Sequence, residues 1–247
     1  MDAAAASHPP TDSVTKHLQH DLDQVKRDLL TMGSMVEEAI NKAVSALTQR
    51  RPELAEEVLA GDDAIDKKEI EVEDKCLKIL ALHQPVASDL RFIVGCIKVN
   101  NDLERMGDLA HNIAERALFL SRREPLEAAL EFTRMVERVR GMVSSSLDAL
   151  VNLDTALARD VCRRDLEVDQ ENRQMIRRLE ALMQSRPETV ERAVQAISVS
   201  RHLERIGDHA TNIAEDIVYM VEGEIIRHSA GANPRNPTLR PTGEAAR

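Results

Sequence analysis

A fifteen-residue segment that occurs twice constrains this chain more than any other feature. Asn101 to Glu115 reads NDLERMGDLAHNIAE and Arg201 to Glu215 reads RHLERIGDHATNIAE, with ten positions identical at an offset of 100 residues. Such self-similarity means that the chain consists of two related units. Both copies are helical by their period. Phe92, Cys96, Val99, Leu103, Met106, Ala110, Ile113, Ala117 and Leu120 follow alternating spacings of four and three, and Ala196, Val199, Leu203, Ile206, Ala210, Ile213, Ile217 and Met220 do the same. Spacing of this kind draws an apolar stripe down one helix face. At 100° per residue, Glu104 and Asp108 project about 150° from the centre of that stripe. An acid pair, four residues apart, is therefore expected on the outer face of a core helix, and Glu204 with Asp208 repeats it.

The rest of the chain fits the same period. A first helix is predicted from about Val14 to Gln49, along Leu18, Leu22, Val25, Leu29, Met32, Val36, Ile40, Val44 and Leu47. Arg51-Pro52 ends it and opens a second, to about Leu82, in which Val58, Ile65, Val72 and Ile79 recur every seven residues. After His83-Gln84-Pro85 a third runs from about Val86 to Ser121. Beyond a hinge at Ser121 to Pro125 the cycle repeats, over about Leu126 to Asn152, Asp154 to Met183 and Pro187 to Glu222. Ser185-Arg-Pro-Glu188 has the form of a capping box before the last helix. The expectation is an all-α fold of six long helices, a tandem of two antiparallel three-helix bundles at 14–121 and 125–225. Disordered tails are expected at 1–13 and from 228 to 247, where Gly231, three Pro and no apolar period stand.

Composition supports this and excludes some functions. Hydrophobic residues are 43 %, aromatics 2 % and charged residues 31 %, the signature of a Leu/Ile/Val/Ala/Met helical core. The net charge of −10 argues against nucleic acid and suits cations. Cys76, Cys96 and Cys162 have no CxxC spacing and read as small buried apolar residues in a reducing compartment. The longest uncharged apolar run, Phe92 to Ile97, is far too short for a membrane span. The N-terminus has no basic region ahead of an apolar one, so no signal peptide is read.

Asp62 and Asp66 are four apart on the second helix, as are Asp165 and Asp169 on the fifth, at an offset of 103. Antiparallel neighbours bring these pairs to the height of Glu104/Asp108 and Glu204/Asp208 respectively. Carboxylates four apart on a helix have Cβ atoms about 5–6 Å apart. Held together they repel, which raises their pKa values and destabilises the fold, and a bound cation relieves both. Oxygen-only ligation suits Mg²⁺, Mn²⁺, Ca²⁺ or iron. The plainer reading is an acidic surface neutralised by Arg105 and Arg205, but four pairs at matching places favour metal. Gly107 and Gly207 serve close packing or clear space beside the acids. Asn112 and Asn212, one turn on, support the site or are solvated, and His111 reads as a surface residue. No nucleophile–base pair, P-loop or Gly-x-Gly-x-x-Gly occurs. A ferritin-like di-metal carboxylate enzyme would place Glu-x-x-His on inward faces, and Asp108-x-x-His111 is one imperfect match. Three readings follow: a metal-bearing regulatory adaptor without catalysis, a di-metal enzyme, and a metal-free helical scaffold.

The residues LERMGDLAHNIAE and LERIGDHATNIAE, with Gln84-Pro-Val-Ala-Ser-Asp-Leu-Arg91 opening the third helix, resemble the phosphate-uptake regulator family, PhoU. The resemblance covers about residues 14–225. It implies two similar three-helix bundles with surface metal clusters held by Glu/Asp-x-x-x-Asp motifs. By motif, Glu104, Asp108, Glu204 and Asp208 carry over as ligands of Mg, Mn or Fe, and Asp62, Asp66, Asp165 and Asp169 accompany them. It implies a cytoplasmic negative regulator of the phosphate-starvation response. Its implied partners are the ATPase subunit of the high-affinity phosphate transporter and a phosphate-sensing histidine kinase. A homodimer is expected, reaching the membrane only through the transporter.

Overall fold

The structure, a computed structural model, describes residues 11–126 and 132–226. Six α-helices carry it: α1 Thr11–Gln49, α2 Pro52–His83, α3 Ala87–Ser121, α4 Phe132–Asn152, α5 Thr155–Ser185 and α6 Val190–Glu222. About 92 % of the described residues are helical and none is in a strand. None of these helices is long and apolar enough to cross a membrane.

The breaks follow from local chemistry. Arg50 adopts φ 55°, which ends α1, and Pro52 stands in the first turn of α2, where its missing N–H is not needed. Gln84 closes α2 in the left-handed region, at φ 47°. Asp154 caps α5, accepting from the Ala156 and Leu157 amides at 2.9 and 3.0 Å. The capping box expected before α6 does not form. Ser185 Oγ donates instead to the Leu182 carbonyl at 3.1 Å and finishes α5, and a 3₁₀ turn at Pro187–Thr189 leads into α6. Pro187 opens this tighter turn, which takes Glu188 before α6 begins. Helix α1 starts at Thr11, inside the segment expected to be tail. Leu126, expected in α4, is buried but not helical; 127–131 and the tail from 228 lie outside the described residues.

Helices α1, α2 and α3 pack up, down and up, and α4, α5 and α6 repeat the arrangement. Lys68 and Lys75 of α2 clamp Asp28 of α1 at 2.7 and 2.6 Å. Asn100 of α3 donates to the Glu69 carbonyl of α2 at 2.9 Å. The two bundles do not stand apart: α3 and α6 lie antiparallel against each other, and one hydrophobic core runs through both. Gly95 lies directly beneath Met220, where a Cβ would collide, so α3 and α6 approach closely there. In the same interface Asp102 accepts from Asn212 Nδ2 at 3.2 Å and pairs with His209 Nδ1 at 2.8 Å. Leu103, Met106, Ile113, Leu203, Ile206 and Ile213 are fully buried, as their stripes predict. Each such side chain contributes roughly 1.5–3 kcal/mol by leaving water. Cys76, Cys96 and Cys162 are all free, and burial pushes the Cys76 thiol up to about 12.

Candidate metal centre

Because α3 is covered by α1, α2 and α6, its buried face is wider than one stripe. Gly107 turns toward α2, and a Cβ there would meet Ile65 Cγ2 at 3.2 Å. This is the close packing considered for Gly107. It has a consequence for the acids beside it. Glu104 is only 21 % exposed and Asp108 41 %, at the lip of the α2–α3 seam. The outer-face placement expected from helical angles is thus corrected: a third neighbouring helix rolls the buried arc toward the acids.

Across the seam stand Asp62, half-buried, and Asp66, exposed. Burial pushes the Asp62 carboxyl up, His111 opposes the shift, and Asp66, Asp108 and Asp63 add to it. Burial also raises Glu104, and Asp108, Asp66 and Glu69 reinforce this against Arg105. The four acids of the first repeat therefore sense one another, as their matched heights require. They are also engaged elsewhere. His111 Nδ1 lies 2.9 Å from Asp62 Oδ2, while Arg105 reaches both Glu104 and Asp108 at 3.3 Å. His111, read as a surface residue, is half-buried and faces α2, where it stands beside Asp62. No local signal in the sequence marks this contact. Asn112 donates to the Asp108 carbonyl at 2.7 Å, not to a carboxylate.

The second repeat is arranged differently. Asp165 and Asp169 of α5 and Asp208 of α6 each offer an oxygen, and these three oxygens all lie within 4.8 Å of one another. Among the described residues this is the one group of three acids so placed. All three are half-buried, and Arg173 touches Asp169 from the rim at 3.3 Å. The Asp165 Oδ1 lies 3.8 Å from where a Cβ on Gly207 would stand, with Val168 Cγ1 at 3.6 Å. Gly207 thus combines both expected roles: it lets α5 approach, and it leaves the Asp165 carboxylate room. Glu204, half-buried one turn before Asp208, is outside the trio, and Thr211 stands where the first repeat has His111. Three converging carboxylate oxygens at a helix seam suit a hard divalent cation that keeps water in its remaining positions. The residues present fit such an ion in the second repeat. In the first, Asp62 and the Glu104/Asp108 pair already hold His111 and Arg105.

The PhoU domain family matches residues 29–117 and 132–217. The phosphate-specific transport system accessory protein PhoU homolog of Aquifex aeolicus (strain VF5) is 44 % identical over 208 residues, 84 % of this chain and 94 % of that protein. Its counterpart in Pseudomonas aeruginosa is 40 % identical over 222 residues, 88 % of this chain and 92 % of the relative. The crystal structure of PhoU from Pseudomonas aeruginosa superposes with a TM-score of 0.82 at 40 % identity, over 83 % of this chain and 99 % of that one. The crystal structure of the phosphate transport system regulatory protein PhoU from Streptococcus pneumoniae gives 0.78 at 30 % identity, over 84 % and 98 %.

Proposed function

Because this chain belongs to the PhoU family, we propose that it is a metal-bearing regulatory accessory of phosphate transport rather than an enzyme. It works in the cytoplasm as a negative regulator of phosphate uptake and of the starvation response. Its partners in this reading are the ATPase subunit of the phosphate transporter and a phosphate-sensing histidine kinase. The relatives' names support the transport role. The observation that carries the metal part is the convergence of Asp165, Asp169 and Asp208 within 4.8 Å. A divalent cation there would tie α5 to α6 and convert carboxylate repulsion into attraction. The ferritin-like reading is weaker, because such proteins set their ligands in the bundle core, and here Leu, Val and Met fill it.

Clean deletion tests the regulatory part: uptake and phosphate-responsive reporters should rise while phosphate is plentiful. Unchanged uptake and reporter levels would sink it. Metal analysis of protein purified without chelator tests the other part. Wild type should retain Mg, Mn or Fe that the Asp165→Asn/Asp208→Asn variant loses, and equal retention by both would rule these ligands out.

A further inference from the structure

A second acidic feature lies one to two turns from the first-repeat seam, where α2, α3 and α6 line an open cavity of about 620 Å³. Glu69 and Glu73 line it from α2, Asp102 from α3, and Glu215 and Asp216 from α6; Lys98 is the one Lys or Arg of the lining, and Asp102 is paired with His209. Lys98 is already taken, 3.2 Å from Asp216 and 5.3 Å from the centre of the Tyr219 ring. Asn100, only 1 % exposed, lies in the cavity wall. Its Nδ2 donates to the Glu69 carbonyl, and its Oδ1 has no partner. A buried amide oxygen left so is costly, and here it asks for a donor.

The repeat shows that this cavity is no by-product of the paired-acid motif. At the offsets that align the motifs, Glu69 and Glu73 correspond to Asn172 and Ile176. Asn101, Asp102 and Asp216 correspond to Arg201, His202 and Arg116. The matching buried position in the second repeat is satisfied, Ser200 donating to Asn172 at 2.8 Å. The motif acids recur in both repeats, and most of the cavity acids do not; Glu215, matched by Glu115, is the exception. Nor do the cavity acids form a close trio of oxygens like that of Asp165, Asp169 and Asp208. Charge this dispersed suits a cation whose own charges are spread out.

We propose that this cavity binds a linear polyamine, an aliphatic chain carrying two or more ammonium groups. One ammonium would meet Asn100 Oδ1 and Glu69, and another Glu73 and Glu215, with the methylene chain over Ile97. The shared chemistry with a lysine side chain of a protein partner is plain, so the test distinguishes the two sources. The cavity is of the size that takes small molecules, and this favours the free amine.

Calorimetric titration with spermidine at fixed ionic strength tests the site on the full chain. Saturable one-to-one binding is expected. Glu73→Gln/Glu215→Gln should weaken it at least tenfold. Asn101→Arg, which installs the second repeat's residue, should abolish it by placing a guanidinium in the cavity. Asp165→Asn should leave it unchanged. Equal affinity in wild type and the cavity variants would overturn the proposal. So would displacement of spermidine by equimolar Mg²⁺, which would make the cavity a metal site. A lysine-rich peptide that binds the same cavity where spermidine does not would likewise overturn it in favour of a protein partner. All of these substitutions are at half-buried or exposed positions, and unchanged far-UV circular dichroism confirms that loss of binding is local.

Discussion

The two repeats place the same acids at the same heights on antiparallel helices, yet they arrive at different sites. In the second, Asp165, Asp169 and Asp208 aim oxygens at a common point. In the first, His111 stands beside Asp62, and Arg105 beside Glu104 and Asp108. One substitution in the duplicated segment, His111 against Thr211, stands at the centre of the contrast. The backbone and the carboxylates decide where charge accumulates. The neighbouring side chains decide how closely the carboxylate oxygens can gather.

The largest expected effect tests whether the difference is confined to the sites. Leu103→Ala and Leu203→Ala remove equivalent, fully buried side chains. Each should lower stability by roughly 2–5 kcal/mol, in chelator and in metal alike. Chemical denaturation of both variants reads this out; a metal-dependent difference between them would mean that core and site are coupled. The next effect is metal itself. At a hundred times its dissociation constant a cation adds about 2.7 kcal/mol to wild type. Asp165→Ala/Asp208→Ala should remove most of that gain in Mg²⁺ or Mn²⁺ melts, and Glu104→Ala/Asp108→Ala a smaller part. If the first-repeat variant lost more, the assignment of the stronger site would be reversed.

A third effect belongs to the first bundle alone. Burial pushes the Asp28 carboxyl up, but Lys68, Lys75 and Gln24 outweigh it and hold the pKa at about 2 against an ordinary 3.8. A depressed carboxylate contributes stability that is present above its unfolded pKa and lost as pH falls through the folded one. That contribution, about 2 kcal/mol, should disappear between about pH 4 and pH 2. Asp28→Asn should flatten this part of the acid unfolding curve, and an unaltered curve would refute the clamp's role. The smallest effect is the most direct probe of the contrast. His111→Thr should free Asp62 and tighten metal binding at the first repeat by roughly tenfold, or 1.4 kcal/mol, with apo stability shifted by no more than about 0.5 kcal/mol. Thr211→His should weaken the second repeat's site. No change in either titration would show that the imidazole does not govern the difference.

Much of this was legible in the chain. Helix number, direction and the acids' heights follow from apolar spacing and the duplicated segment, because a 3.6-residue period and short turns leave little freedom. What spacing could not supply was the angular width of burial. One stripe on α3 predicts one buried face, whereas α1, α2 and α6 together bury most of it and turn Glu104 half inward. Pairings between helices were also hidden. Nothing local to Ser185 says that its hydroxyl will close the helix behind it rather than open the one ahead. Nothing local to His111 names Asp62, forty-nine residues earlier, as its partner.

The buried contact of Asp102 with His209 and Asn212 bears on how the chain avoids pairing with itself. Two related helices, α3 and α6, meet across a pseudo-twofold axis, and a duplicated interface of that kind could also be satisfied by α3 against α3 of another copy. In such an exchange Asp102 would face Leu109, the residue that stands in the first repeat where His209 stands in the second. A buried carboxylate would lose its imidazole and confront an aliphatic side chain, a penalty of several kcal/mol. The heterotypic match is the one in which this carboxylate is fully answered. This polar trio, with Lys98 and Asp216 farther along the same seam, thus works as a key: it ties the first half of the chain to its own second half and fixes the register at which they meet.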